Sequence, residues 1–156
     1  MLPRKFTLLA SLVALAALGS LAFAACGDDD DSADSHASGN AEVLSAISII
    51  DSAGIHEIDE SINTDKTIPP TAKVTADKVH TILNLTAWPN ELKPQANALA
   101  DLFGDLSAAL DGDNPDLAKA GEATKKAHDG YHEFSHEVWQ HLYAAAGIKA
   151  SSEMHN

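Results

Sequence analysis

Residues 41 to 147 predict an all-α fold, an antiparallel up-down-up-down four-helix bundle, and three observations carry that prediction. Apolar residues recur with the helical period throughout this stretch, and no alternating strand pattern competes with it. Turn signals at Pro69-Pro70, Trp88-Pro89 and Asp111-Gly112 cut it into four pieces. The connections between those pieces are short, which makes antiparallel neighbours the default.

The first helix is expected from about Ala41 to Ile62, with Leu44, Ile47, Ile50, Ile55, Ile58 and Ile62 on one broad face. A polar loop, Asn63 to Pro70, leads to a second helix from about Thr71 to Ala87 that buries Val79, Ile82, Leu83 and Thr86. It stops at Trp88-Pro89 because a residue before proline is pushed out of the α region. The third helix has the clearest pattern: Leu92, Leu99 and Leu106 alternate with Ala96, Phe103 and Leu110 in a heptad seam. After Gly112, Asn114 is the expected cap of a fourth helix with Pro115 at its first position. That helix runs to about Ala146, with seams Leu117, Thr124, Tyr131, Val138, Ala145 and Ala120, Ala127, Phe134, His141. In length and helix count this resembles bundles of the cytochrome b562 and cytochrome c′ type, in architecture only, since no haem attachment motif is present.

The first 25 residues have a different character. Arg4 and Lys5 form a short positive patch, followed by an apolar run from Phe6 to Leu18 and then small residues up to Ala24-Ala25-Cys26. This is the three-part layout of a secretion signal, too short in its apolar core for a membrane span. The segment resembles the lipobox of bacterial lipoproteins, with Phe23 where the family usually has Leu. The resemblance implies cleavage before Cys26 and acylation of that cysteine with diacylglycerol and palmitate-type chains. It also implies an exported protein held on the periplasmic or extracellular face of the cell envelope. Residues 26–40, GDDDDSADSHASGN after the cysteine, read as an acidic flexible tether, and residues 148–156 as a polar tail.

Composition narrows the function classes. The chain has 156 residues, 23 acidic against 10 basic, and a formal charge of −13. Loss of residues 1–25 removes its one arginine. A surface this acidic repels nucleic acid and suits cations. Cys26 is the single cysteine, so it has no intramolecular disulfide partner, and beyond it no cysteine remains for a thiolate metal site or a CxxCH haem motif. Eight histidines are the main chemical resource.

Three of them, His128, His132 and His136, follow one another at i, i+4 and i+8, so neighbours share a helix face and can chelate a divalent ion. Asp51 interrupts the apolar face of the first helix, where an unpaired carboxylate is costly. If the first and fourth helices are antiparallel neighbours, Asp51 comes level with His128 to Tyr131, and Gly54 leaves room there. It would then accept from Tyr131, pair with His128 or help bind a metal. His80 falls at a similar height. Asp51, His80, His128, His132 and His136 are therefore the candidate metal residues, with copper, zinc or nickel as the ion. His56 points away from the core and is given no role. His141 falls in a seam, as a hydrogen-bonded core residue.

Trp139 and Tyr143 lie off the core stripe and offer a face for a protein partner, or cover the bundle's edge. His132-Glu133-Phe134-Ser135-His136 matches the zincin HExxH string, but that chemistry needs a third ligand and a substrate cleft. The sequence thus favours a metal-binding lipoprotein over an interaction or structural lipoprotein without a metal. A zinc hydrolase and non-covalent haem binding are weaker alternatives, and the balance is against an enzyme.

Overall fold

A computed structural model describes residues 31–148 of the chain. The signal segment, Cys26 and the tail beyond Ile148 lie outside the described residues. Within them the regular structure is entirely helical: α1 Asp31–Asp51, α2 Ile55–Asp59, a π-helical turn Glu60–Thr64, α3 Ala72–Leu85, α4 Lys93–Ala109 and α5 Leu117–Ala145. None of these helices is long and apolar enough to cross a membrane.

The expected first helix is neither continuous nor confined to residues 41–62. It begins at Asp31, so residues 31–40 of the expected tether are helical. No proline stands between Asp31 and Asp51, and adding residues to a formed helix gains a hydrogen bond each. It ends at Asp51 because Gly54 takes the left-handed conformation (φ 77°), which a helix cannot pass through. Gly54 therefore serves by its backbone freedom; a Cβ there would meet only Glu57 Oε2, at 3.5 Å. The chain re-enters helix at Ile55 and widens to π geometry before Thr64. Lys66, at φ 56°, then ends the segment, with the Thr67 N–H donating back to the Ser61 carbonyl at 2.9 Å.

The break changes which residues are buried. Val43, Ala46, Ile47 and Ile50 form the inner face of α1, while Leu44, expected inside, is 45% exposed. Ile55, Ile58 and Ile62 are buried as expected. On α3, Val79 and Leu83 are joined by Ala72 and Ala76, whereas Ile82 and Thr86 are only half-buried. The α4 seam is fully buried from Leu92 to Leu110. The α5 seam is buried from Ala120 to Val138, with Leu117 and His141 half-buried and Ala145 exposed at the ends. Trp88 seals the core between helices: its indole N–H donates to the Leu83 carbonyl at 2.8 Å, and its ring meets Phe134 edge-on at 5.0 Å.

α3 packs along α4, and α4 along α5, while α1, α2 and the π-helical turn all lie against α5. Gly130 allows the α4–α5 approach, since a Cβ there would stand 2.8 Å from Leu102 Cδ1. Partners across the first segment and α5 run in opposite numerical order. Asn40 meets His141, Asp51 meets Ser135, and Asn63 meets Gly121. On α3, Asp77 takes a very short hydrogen bond from Ser107 of α4 and a salt bridge from Lys73 at 3.1 Å.

The cap of α5 is Asp116 rather than Asn114. Its carboxylate accepts from the Ala118 and Lys119 N–H groups at 2.9 and 3.0 Å, so the helix starts after Pro115 and Asp116. Those two bonds, Lys119's the larger, hold its carboxyl below the ordinary 3.8. A depressed native pKa stabilises the fold while the group is ionised. Asp116→Ala should therefore lower the thermal midpoint at pH 7. That deficit should fade in melts run below pH 3.8, as the native carboxyl of the parent protonates. Thr124 supplies a second test. Its hydroxyl is fully buried and has no hydrogen-bond partner. Replacing an orphaned polar group by an apolar one of similar shape is favourable, so Thr124→Val should gain about 1 kcal/mol in urea unfolding.

Candidate metal centre

The geometry of the centre comes from two pieces of backbone. α5 supplies His128 and His132, one turn apart on the same face. The short α2, re-phased by the break at Gly54, turns His56 toward them. His56 Nδ1 lies 2.8 Å from His128 Nε2, and His132 Nε2 lies 3.2 Å from the same His128 nitrogen. One ligand nitrogen from each ring can thus be chosen with all three within 4.8 Å of one another. Two of the three residues, His56 and His132, are exposed, and His128 is half-buried, so the group opens to solvent.

These distances suit a metal. A tetrahedral ion with bonds of about 2.0–2.1 Å holds its ligand nitrogens about 3.3 Å apart. The 3.2 Å pair already matches, and the 2.8 Å pair needs to open by about half an ångström. The surroundings of His132 also favour the neutral form of its ring. Burial, then the neighbouring His128 and His56, pushes that imidazole below its ordinary 6.5, against the pull of Asp129. Neutral imidazole is the form that ligates.

The structure divides the candidate residues. His128 and His132 are brought together, as their spacing anticipates. His136 is not part of the group; it points elsewhere and its Nε2 lies 3.1 Å from Gln140 Nε2. His80 packs over Gly104 of α4, its ring atoms 3.6 Å from where a Cβ would stand. His56, given no role from the sequence, is the third member. The signal was available in Gly54, two residues earlier, because a glycine inside a helical pattern can reset the phase of the residues after it. Among the described residues no other set of three ligands converges. In the HExxH string, His136 does not join His132 in the converging group, and Glu133 borders a cleft with Gln95, Leu102 and Glu137, toward α4.

Asp51 has a different task. It accepts from Tyr131 Oη at 3.0 Å, Ser135 Oγ at 3.1 Å and Trp139 Nε1 at 3.0 Å. The three donors stand at i, i+4 and i+8 on α5, a stripe beside the histidines. Of the alternatives for Asp51, the bond from Tyr131 is the one observed. Burial, then the Asp51 charge, pushes the Tyr131 phenol up to about 12, so it stays a donor across the physiological range. Tyr131 also packs against the rings of His56 and His132, with centroids 6.1 and 5.3 Å away, and thus links the clamp to the centre.

Trp139 is half-buried through its bond to Asp51, and with Tyr143 and Leu142 it lines an apolar groove of about 400 Å³ against Asn40, Leu44 and Ile148. His141 is half-buried and tied at both nitrogens, to Glu91 at 3.2 Å and Asn40 at 3.2 Å.

Removing the clamp should loosen the first segment from α5. Asp51→Ala deletes three hydrogen bonds to one carboxylate and leaves the buried Tyr131 phenol without its carboxylate acceptor. The expected cost is about 1–3 kcal/mol in chemical unfolding, with a shift in indole emission as Trp139 loses its acceptor. Compared with known proteins, the chain matches no family model, no curated protein and no solved structure.

Proposed function

We propose that this chain is an exported lipoprotein, anchored through Cys26, whose helical domain holds a divalent transition ion on His56, His128 and His132. The observation that carries the metal reading is the convergence of three imidazole nitrogens within 4.8 Å. Imidazole suits copper, zinc and nickel, and the absence of a carboxylate from the group disfavours calcium and magnesium. A chain with a formal charge of −13 also raises the local concentration of cations. Asp59 and Asp129 stand beside the histidines and add to that field.

The domain is read as an antiparallel up-down-up-down bundle, and the opposed numerical order of partners between the first segment and α5 supports it. The anchor rests on the sequence alone. With three protein ligands and two of them exposed, the ion would keep an open position to solvent. That favours carrying or exchanging an ion over sealing one in for structure.

A second reading, an interaction lipoprotein, is favoured by one feature: the apolar groove at Trp139, Tyr143 and Leu44, with Ile148 56% exposed at its rim. The two readings part in a titration of metal-free protein with Zn(II), Cu(II) and Ni(II). The metal reading expects one ion per chain, Cu(II) tightest by the usual order of divalent affinities, and a raised melting temperature. His56→Ala and His128→Ala should each abolish the rise, while His80→Ala and His136→Ala should leave it. A wild-type chain that takes up none of these ions removes the reading.

A further inference from the structure

We infer that Asp59, braced by Asn63, is a positioning residue that selects the metal-ready tautomer of His128; the inference rests on reading the three histidines as a metal site. His128 Nε2 is the shared corner of the cluster, within hydrogen-bond range of both other rings. In neutral imidazole the ring proton sits on one nitrogen only. With the proton on Nε2, that nitrogen donates to His56 Nδ1 at 2.8 Å and the cluster closes on itself. With the proton on Nδ1, the Nε2 lone pair faces the centre and can bind an ion.

Asp59 favours the second arrangement. Its Oδ2 lies 4.0 Å from His128 Nδ1, whereas the other two rings meet His128 at Nε2. At that separation the carboxylate acts through its charge, and it needs to advance by about 1 Å to accept a hydrogen bond. Its other oxygen is held: Asn63 Nδ2 donates to Asp59 Oδ1 at 2.8 Å and to the Gly121 carbonyl of α5 at 3.1 Å. Both Asn63 partners are acceptors, so the amide orientation is fixed by chemistry. Gly121 makes this brace fit, because a Cβ there would fall 2.5 Å from Asn63 Oδ1. The chain Gly121–Asn63–Asp59–His128 thus links α5 to itself through the π-helical turn. A carboxylate behind a ligating histidine fixes its orientation and raises its basicity.

Asp51, a second carboxylate nearby, accepts from Tyr131, Ser135 and Trp139 and so ties the first segment to α5.

Asp59→Asn separates positioning from structure. An asparagine there keeps an acceptor for Asn63 and turns an amide donor toward His128 Nδ1, which favours the Nε2–H tautomer. In the full chain, Zn(II) affinity by competition with a chromophoric chelator should fall about 10–100-fold, with helicity unchanged. Nitrogen-15 imidazole spectra of metal-free protein should show His128 carrying Nδ1–H in the parent and Nε2–H in the variant. Asn63→Ala should weaken Zn(II) in the same direction, by less. Zn(II) affinity within twofold of the parent in Asp59→Asn, or a parent His128 protonated at Nε2, overturns the inference. A parent chain that binds no Zn(II) overturns the metal reading instead, and the imidazole spectra still decide whether Asp59 sets the tautomer.

Discussion

The left-handed turn at Gly54 sets the geometry on which the rest of the centre depends. An uninterrupted helix turning 100° per residue would carry His56 about 120° away from Ile50, toward solvent. The break at residues 52–54 resets that phase, so that Ile55, Ile58 and Ile62 stay inside while His56 swings onto the flank of α5. The π-helical turn beyond it adjusts the register again, and places Asn63 over Gly121. Two departures from regular helix thus bring His56 to the other two histidines and Asn63 to Gly121. π-Turns inside helices are found disproportionately at functional positions, and this one carries Asn63, which braces Asp59 beside His128.

α5 is the organising surface against which these pieces are arranged. Three stripes run along it. The seam from Ala120 to Val138 enters the core; Tyr131, Ser135 and Trp139 reach Asp51; His128 and His132 meet His56. Tyr131 belongs to the first two stripes and touches two rings of the third, so the packing of the core, the clamp and the centre share one side chain. A shift of the first segment along α5 would disturb all three together. Asp51 resists such a shift because its three bonds are spread over two turns of helix.

Most of the helical pattern was legible in the sequence because burial and periodicity are local signals. The α4 seam from Leu92 to Leu110 and the α5 seam from Ala120 to Val138 follow from spacing alone. The contact between Asp51 and Tyr131 was legible too, since an acidic residue on an apolar stripe demands a donor from the facing helix. The features that stayed hidden depend on phase. A single continuous wheel drawn through Gly54 misplaces Leu44 and His56, because every residue on one side of a break is rotated relative to the other. Asn114 gave way to Asp116 as the cap because both are good caps and only the backbone decides which carboxylate or amide reaches two free N–H groups. His136 shares the i, i+4 spacing with His132, but spacing supplies neighbours on one helix and says nothing of the third ligand from another.

Three imidazoles gathered around one nitrogen are a poor device for stability alone. Each added proton repels the others, which is part of why His132 is held below its ordinary pKa, and the rings lie where water can already satisfy them. An apolar residue at His56 would cover Tyr131 as well, without the electrostatic cost. On the proposed metal reading a cation would reverse the balance, since it would replace mutual repulsion with three bonds and draw on the nearby charges of Asp59 and Asp129. The same argument separates this cluster from His141, which is paired between Glu91 and Asn40 and needs no ion to complete it. The group at His56, His128 and His132 is the one place among the described residues where three side chains stand close enough together to hold a metal ion.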